Sequence, residues 1–456
     1  MRAIRVLAIM LAAIIIGVPV VADQLFYPAI EYAVGTSPSA VCSVDLDGDG
    51  DIDLAVTHAG YHDISIMKNN GDGTFAPAVF YTVGNYPESA CAVDLDGDGD
   101  LDIATANSGS DNVSVLMNNG DGTFAPAVNY TVGNYCFTSS VCAADFDGDG
   151  DTDLIASNAG TNFVTLLKNS GDGTFIVAGH FGIGDCPDMI CTADFDGDGD
   201  IDVAAANRIG NNVSIVMNDG NGTFATPVYY AAGDVTKAVC AVDLDGDGDQ
   251  DLVAANSYGG NISVFSNYGD GTMTPAVNYQ AGSHAWSVYP ADLDGDGDYD
   301  IAVANAYANN VSVFENNGDG TLASAVNYST RYMPHATSSA DYDGDGDIDL
   351  VAANAGSHDV SILMGTMVSC CQGRIGDTNG EGGDEPTIGD VSVMIDAKFI
   401  SGYCAGIIVC LDEADINQSA VSTVTCDDVT ISDISILIEY LFITGPEAYG
   451  PLPYCL

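Results

Sequence analysis

An acidic nonapeptide of the form D-x-D-G-D-G-D-x-D occurs seven times along the chain, beginning at Asp45, Asp94, Asp145, Asp194, Asp243, Asp292 and Asp341. Successive starts lie 49, 51, 49, 49, 49 and 49 residues apart, so every copy holds the same place in one repeated supersecondary unit. A period of this length reads as an array whose units bury their apolar faces only against one another.

The spacing inside the nonapeptide carries chemistry. Carboxylates stand at positions 1, 3, 5, 7 and 9, with glycine at position 6 where the chain turns sharply. This is the opening of an EF-hand-type loop, in which side-chain carboxylates and the carbonyl of position 7 present hard oxygens to calcium. The expected ligand-bearing residues are Asp45, Asp47, Asp49, Asp51 and Asp53, then Asp94, Asp96, Asp98, Asp100 and Asp102, then Asp145, Asp147, Asp149, Asp151 and Asp153. The later loops supply Asp194, Asp196, Asp198, Asp200 and Asp202, then Asp243, Asp245, Asp247, Asp249 and Asp251. The last two supply Asp292, Asp294, Asp296, Asp298 and Asp300, then Asp341, Asp343, Asp345, Asp347 and Asp349. Five like charges in nine residues repel one another unless a cation intervenes, which sets calcium above a plain Asp-Gly turn. Magnesium demands a tighter octahedral shell and is the weaker candidate.

Charge and cysteine content narrow the partners. The 456 residues hold 65 acidic and 9 basic side chains, a formal net charge of −56, so nucleic acid, anionic membranes and polyanionic substrates lack the basic clusters they require. Residues 1–22 read as a secretory signal peptide, with Arg2 and Arg5 before an apolar run and small residues before Asp23; an uncleaved anchor is the alternative. The expected location is therefore extracellular, an oxidising compartment for the 13 cysteines. Cys42, Cys91, Cys142, Cys191 and Cys240 each precede an acidic loop by three residues and read as small buried apolar residues. Cys136 and Cys186 stand close enough in sequence to bridge locally to Cys142 and Cys191.

Residues 89–133 show one period in full. Four β-prone runs (Ser89 to Val93, Leu101 to Ala106, Asn112 to Met117, Ala125 to Val132) alternate with turn-rich segments. A four-stranded antiparallel unit stacked radially around a channel buries both its faces, so the expected fold is all-β, a seven-bladed propeller over residues 23–366. A Gly-Asp-Gly-Thr turn, with Asn221 replacing the aspartate once, begins at Gly71, Gly120, Gly171, Gly220, Gly269 and Gly318 and is missing from the seventh unit. Phe26 to Tyr32 matches Phe124 to Tyr130, so the segment before the first loop is expected to supply the seventh blade's outer strand and close the ring.

The motif, its period and its sevenfold recurrence over residues 25 to 364 resemble the FG-GAP/VCBS repeats of integrin-α-type propellers. The resemblance implies the propeller fold and calcium in its blades. Phe-Ala, Phe-Ile and Ala-Asn stand where integrin blades carry Phe-Gly and Gly-Ala-Pro, so integrin ligands do not carry over.

A linker at 367–376 leads to a second unit at 377–456 made of two related halves. Asp377, Asn379, Glu381 and Asp390 precede Met394, Ile395 and Phe399; Asp415, Asn417, Ser419 and Asp433 precede Leu437, Ile438, Leu441 and Phe442, spaced for one helical face. The pair resembles a small α-helical type I dockerin, which implies calcium in those two loops and a cohesin-type partner. The loops are longer than a standard calcium loop, and a disulfide-stapled cap is the alternative.

No nucleophile elbow, His-Glu zinc motif or phosphate loop is present, which favours a binding module over a polysaccharide-active hydrolase or lyase or a purely structural scaffold. Alternating strands place the acidic loops and Gly-Asp-Gly-Thr turns on one repetitive face and the other loops on a variable face. There His284, Trp286, Arg331, Tyr332 and His335 are expected from neighbouring entry loops, and Tyr61, His62 and His358 from the loops between second and third strands. Aromatic faces with Arg and His suit a glycan or a cell-surface protein; a transition-metal site among His62, His335 and His358 is an alternative. For the tail, residues 375–445 expressed alone are expected to capture a cohesin-type module in calcium and release it in EDTA, as read by pull-down.

Overall fold

The computed structural model describes residues 25–366. The expected signal peptide, linker and tail, with Asp377, Asn379, Glu381, Asp390, Asp415, Asn417, Ser419 and Asp433, lie outside the described residues.

Seven four-stranded antiparallel sheets follow one another in sequence order. The first strand of each is Pro38–Val44, Pro87–Val93, Thr138–Ala144, Pro187–Ala193, Thr236–Val242, Ala285–Ala291 or Pro334–Ala340. Each packs against the first strand of the blade before and after it, and Pro334–Ala340 packs on Pro38–Val44, so these seven form a closed inner ring. The fold is a seven-bladed β-propeller, as the period implied. Among the described residues no helix is long and apolar enough to cross a membrane.

Burial explains why the second strand of each blade is the most apolar. Asp53–His58 and its six counterparts are buried along their whole length, because one face meets the preceding blade and the other the following blade. The apolar clusters accordingly span neighbours: Leu54 and Val56 pack with Val351, Ala353, Val360 and Ile362 of blade seven. Truncating a fully buried leucine such as Leu54 to alanine costs roughly 2–5 kcal/mol through lost transfer energy and the cavity left behind. Outer strands such as Val128–Thr131 are largely exposed and only four residues long. In blade two the expected run from Ala125 is shortened because Pro126 has no N–H to give to the ladder.

The seventh blade is completed by Ile30–Ala33, which pairs antiparallel with Asp359–Leu363 in the register Ile30↔Ile362, Tyr32↔Val360. Phe26 bridges to Gly365 as Phe124 bridges to Asn118, which bears out the sequence match. Its ring is 1% exposed and meets Tyr328 edge-on at 5.1 Å.

Asparagines join the blades on the acidic-loop face. Asn118 Nδ2 donates to the carbonyl of Leu46 at 2.8 Å, Asn169 to Leu95 at 2.7 Å, Asn218 to Phe146 at 2.9 Å, Asn267 to Phe195 at 2.8 Å and Asn316 to Leu244 at 2.8 Å. Asn69 crosses the closure to Tyr342 of blade seven at 2.8 Å. In blade seven the position is Gly365, which keeps the backbone bond to Asp349 Oδ1 but has no side chain to reach blade six.

The described cysteines are all free thiols, so the local bridges expected of Cys136 and Cys186 are not formed. Cys142 is turned away on the inner strand, where its thiol donates to the Ile190 carbonyl of the next blade at 3.3 Å. Arg208 Nη2 donates to the Cys186 sulfur at 3.1 Å.

His58 ends the second strand of blade one where the other blades carry asparagine, and its Nε2 bonds Ser65 Oγ at 2.8 Å just as Asn107 bonds Ser114. Burial pushes the imidazole down to about 4.

Two predictions follow from these contacts. A chain starting at Thr36 loses the closing strand and exposes the edge of Asp359–Leu363; it is expected to melt lower and to self-associate, read by calorimetry and light scattering. Because His58 stays neutral when folded but takes a proton near pH 6.5 when unfolded, the unfolded state binds more protons between about pH 6.5 and 4, and stability falls as pH drops through that window. His58→Asn is expected to lose less melting temperature than the parent between pH 7 and pH 5.

Candidate functional site

The acidic loops are built the same way in each blade. In the first, Asp45 accepts backbone N–H groups from Gly48 at 2.8 Å and Gly50 at 3.0 Å, which curls the loop around its first carboxylate. Gly48 and Gly50 take φ of 74° and 96°, a left-handed backbone that most side chains hold only under strain. The last carboxylate, Asp53, is 1% exposed and accepts from Leu46 N at 3.1 Å and Asn69 N at 2.8 Å.

One carboxylate oxygen from each of positions 1, 3 and 9 lies within 4.8 Å of the other two in Asp45/Asp47/Asp53, Asp94/Asp96/Asp102, Asp145/Asp147/Asp153, Asp194/Asp196/Asp202 and Asp243/Asp245/Asp251. Positions 5 and 7 are used differently: Asp49 Oδ1 caps Asp51 N at 3.0 Å, and the Asp51 carboxylate lies against Gly71, where a Cβ would stand 2.5 Å from its oxygen. Burial raises the position-9 carboxyls, pushing Asp53, Asp102, Asp153, Asp202 and Asp251 up to about 6 and Asp300 up to about 7 against the opposing effect of their backbone bonds. Asp47, Asp147 and Asp196 each keep one buried oxygen with no hydrogen-bond partner. Convergent, buried, unsatisfied oxygens are the donor set of a hard divalent cation, so the residues fit the group that the spacing implies.

In six of the seven blades the next blade's Gly-Asp-Gly-Thr turn closes over the acidic loop; blade six is the exception, because blade seven has no such turn. A Cβ on Gly122 of blade two would stand 3.0 Å from Asp47 Cβ, and one on Gly73 of blade one 3.0 Å from Asp343 Cβ of blade seven. The repetitive face is thus a chain of loops covered by their neighbours, interrupted at blade six.

The variable face is organised by two repeated positions. The first is the residue ending the loop between second and third strands, held at positive φ in His62, Asp111, Asn162, Asn211, Asn309 and His358, residue types that tolerate left-handed backbone. Its side chain hooks the next blade's entry loop: Asp111 accepts from Tyr135 N and Phe137 N, Asn162 from Cys186 N, Asn211 from Val235 N and Asn309 from Met333 N. His62 Nδ1 does the same for Tyr86 N at 3.2 Å and His358 Nδ1 for Ser37 N at 3.0 Å. These two histidines, expected as ligand contacts, spend one ring nitrogen on holding adjacent blades together.

The second position lies six residues before each acidic loop, near the start of the inner strand: Ser39, Glu88, Ser139, Asp188, Lys237, Trp286 and His335. Lys237 Nζ pairs with Asp188 Oδ2 at 3.0 Å and stands 4.8 Å from the centre of the Trp286 ring, which stacks on His335 at 4.5 Å and 7°. Arg208 Nε adds a second pair to Asp188 at 3.1 Å, and Ser39 Oγ donates to the Pro87 carbonyl at 2.6 Å. Trp286 and His335 therefore sit on inner strands rather than on entry loops, and Trp286 stands between Lys237 of blade five and His335 of blade seven. Burial, then the Lys237 charge, push His335 down to about 4, and its Nε2 has no partner.

The exposed aromatic surface of this face is mostly tyrosine, with Phe137 beside it. Tyr61, Tyr86, Tyr135, Tyr258, Tyr307 and Tyr332 are each more than half exposed. His284, at φ 59°, stacks on Tyr307 at 3.8 Å and meets Tyr258 edge-on at 5.2 Å, joining blades five and six. Tyr332 lies over Gly356, and Arg331 pairs with Asp359 at 3.3 Å while remaining half exposed. Sequence reasoning passed over Glu88, Asp188 and Lys237; aligning the column six residues upstream of each loop finds them.

The chain belongs to the FG-GAP-like repeat family, which matches residues 45–105, 94–156, 145–204, 194–254, 243–303 and 292–352. No curated protein matches it. Among solved structures it is similar to BBS1N in a complex with ARL6DN soaked with mercury, at 14% identity over 75% of this chain and 97% of that one, with a TM-score of 0.55. It is also similar to virginiamycin B lyase from Staphylococcus aureus, at 12% identity over 74% and 99%, with a TM-score of 0.51. At these identities the likeness speaks for the fold alone.

Proposed function

We propose that this chain is a secreted, calcium-stabilised propeller that binds a glycan through its variable face and is tethered by its dockerin-like tail to a cohesin-type module. The observation that carries the binding reading is the contrast between the two faces. Seven loops repeat one chemistry, whereas the seven positions around the variable end of the inner ring hold serine, glutamate, aspartate, lysine, tryptophan and histidine, rimmed by exposed tyrosines. Tyrosine rings stack on the apolar faces of sugars, and the phenol, Arg331 and His284 supply hydrogen bonds. Repeats that share a scaffold and differ on one face build their recognition there.

Calcium is the cation whose oxygen shell and flexible coordination suit the converging aspartates. Chelation is expected to lower the melting temperature sharply and calcium to restore it; an unchanged melt in excess EDTA removes calcium from the reading. For the ligand, Tyr258→Ala with Tyr307→Ala is expected to weaken glycan-array binding by about tenfold or more while leaving the calcium-dependent melt intact. Undiminished binding would move the site elsewhere, and new reducing ends or unsaturated products would replace binding with catalysis.

A further inference from the structure

The residue that precedes the inter-blade asparagine, or Gly365 in blade seven, is not the same in all seven blades. Blades two, four and seven carry Met117, Met217 and Met364, blade five Ser266 and blade six Glu315, whereas blades one and three carry Lys68 and Lys168. The methionines pack against the next blade's turn: Cβ atoms on Gly173 and Gly271 would collide with the Met117 and Met217 methyl groups. The lysines instead enter the cluster. Lys68 Nζ lies 2.9 Å from Asp47 Oδ2 and donates to the Asp121 carbonyl of blade two at 2.5 Å, and Lys168 Nζ pairs with Asp147 Oδ2.

Asp47 and Asp147 are the third-position carboxylates of their clusters, with side chains only 15% and 10% exposed. In both, the oxygen not facing lysine is buried and has no hydrogen-bond partner. Each ammonium thus cancels one charge of the set a divalent ion would use and competes for one of its oxygens, in a partly desolvated place where screening is weak.

We propose that Lys68 and Lys168 are resident counter-ions that set the loops of blades one and three apart from those of blades two, four, five and six. The loops of blades one and three are held together by the protein's own ammonium groups when calcium is scarce, and they take up calcium last. The loops of blades two, four, five and six have no such lysine and depend on the metal. This division rests on the calcium reading above.

The test uses the full chain, with calcium binding followed by equilibrium dialysis and stability by melting in EDTA and in calcium. In the parent, two ions are expected to bind about tenfold more weakly than the other propeller ions. In Lys68→Met/Lys168→Met, which installs the residue of blades two, four and seven, those two join the tighter class. The variant melts lower than the parent in EDTA and higher in saturating calcium. Lys68→Gln/Lys168→Gln, which removes the charge but keeps a polar side chain, moves the isotherm in the same direction and guards against a packing defect of methionine. Superposable isotherms, or a melting change of one sign in both conditions, overturn the division while calcium binding stands. A chain that binds no calcium in any form overturns the calcium reading and the division with it.

Discussion

The ninth-position aspartate is the point on which the propeller turns. Asp53 and Asp102 are buried carboxylates that accept one N–H from their own loop and one from the residue two past the third strand, a pattern repeated around the ring. That second residue is the asparagine whose side chain crosses to the preceding blade. One carboxylate therefore fixes the loop, the strand that follows it and the blade behind it. Burying such a group costs free energy unless hydrogen bonds or a cation compensate, so loop geometry and blade registry are one problem with one solution.

Much of this was legible in the sequence because it repeats. A period near 49 residues located every blade, the D-x-D-G-D-G-D-x-D spacing located every loop, and the match of Phe26 to Phe124 located the closing strand. Each signal was strong because a departure in one copy would have broken a shared geometry. The candidate binding face was harder to read for the same reason reversed: its residues differ from blade to blade, and only their column is constant. Lys237 and Asp188 carry no motif of their own, yet strand entry brings them to 3.0 Å from one another.

Histidine takes structural positions that other blades fill with asparagine or aspartate. His58 stands in an asparagine column, and His62 and His358 stand where other blades use Asp or Asn to hook the next entry loop. His62 and His358 were expected as ligand contacts for their side-chain chemistry, but a ring nitrogen accepting a backbone N–H does the work of an amide oxygen. Trp286 was similarly ambiguous: its ring is partly accessible, but its neighbours Lys237 and His335 already occupy it, which leaves the tyrosines as the open aromatic surface.

The glycine at position 365 has a mechanical meaning. A closed ring carries load as hoop tension, shared equally only when every joint has the same number of ties. Six joints have an asparagine crossing the acidic face; between blades six and seven Gly365 leaves that tie out. The seventh blade is also the one assembled from two distant stretches of chain, with its outermost strand delivered by residues 30–33. Among the described residues the joint between blades six and seven thus has one tie fewer than the others, a seam in the ring beside the blade that closes it.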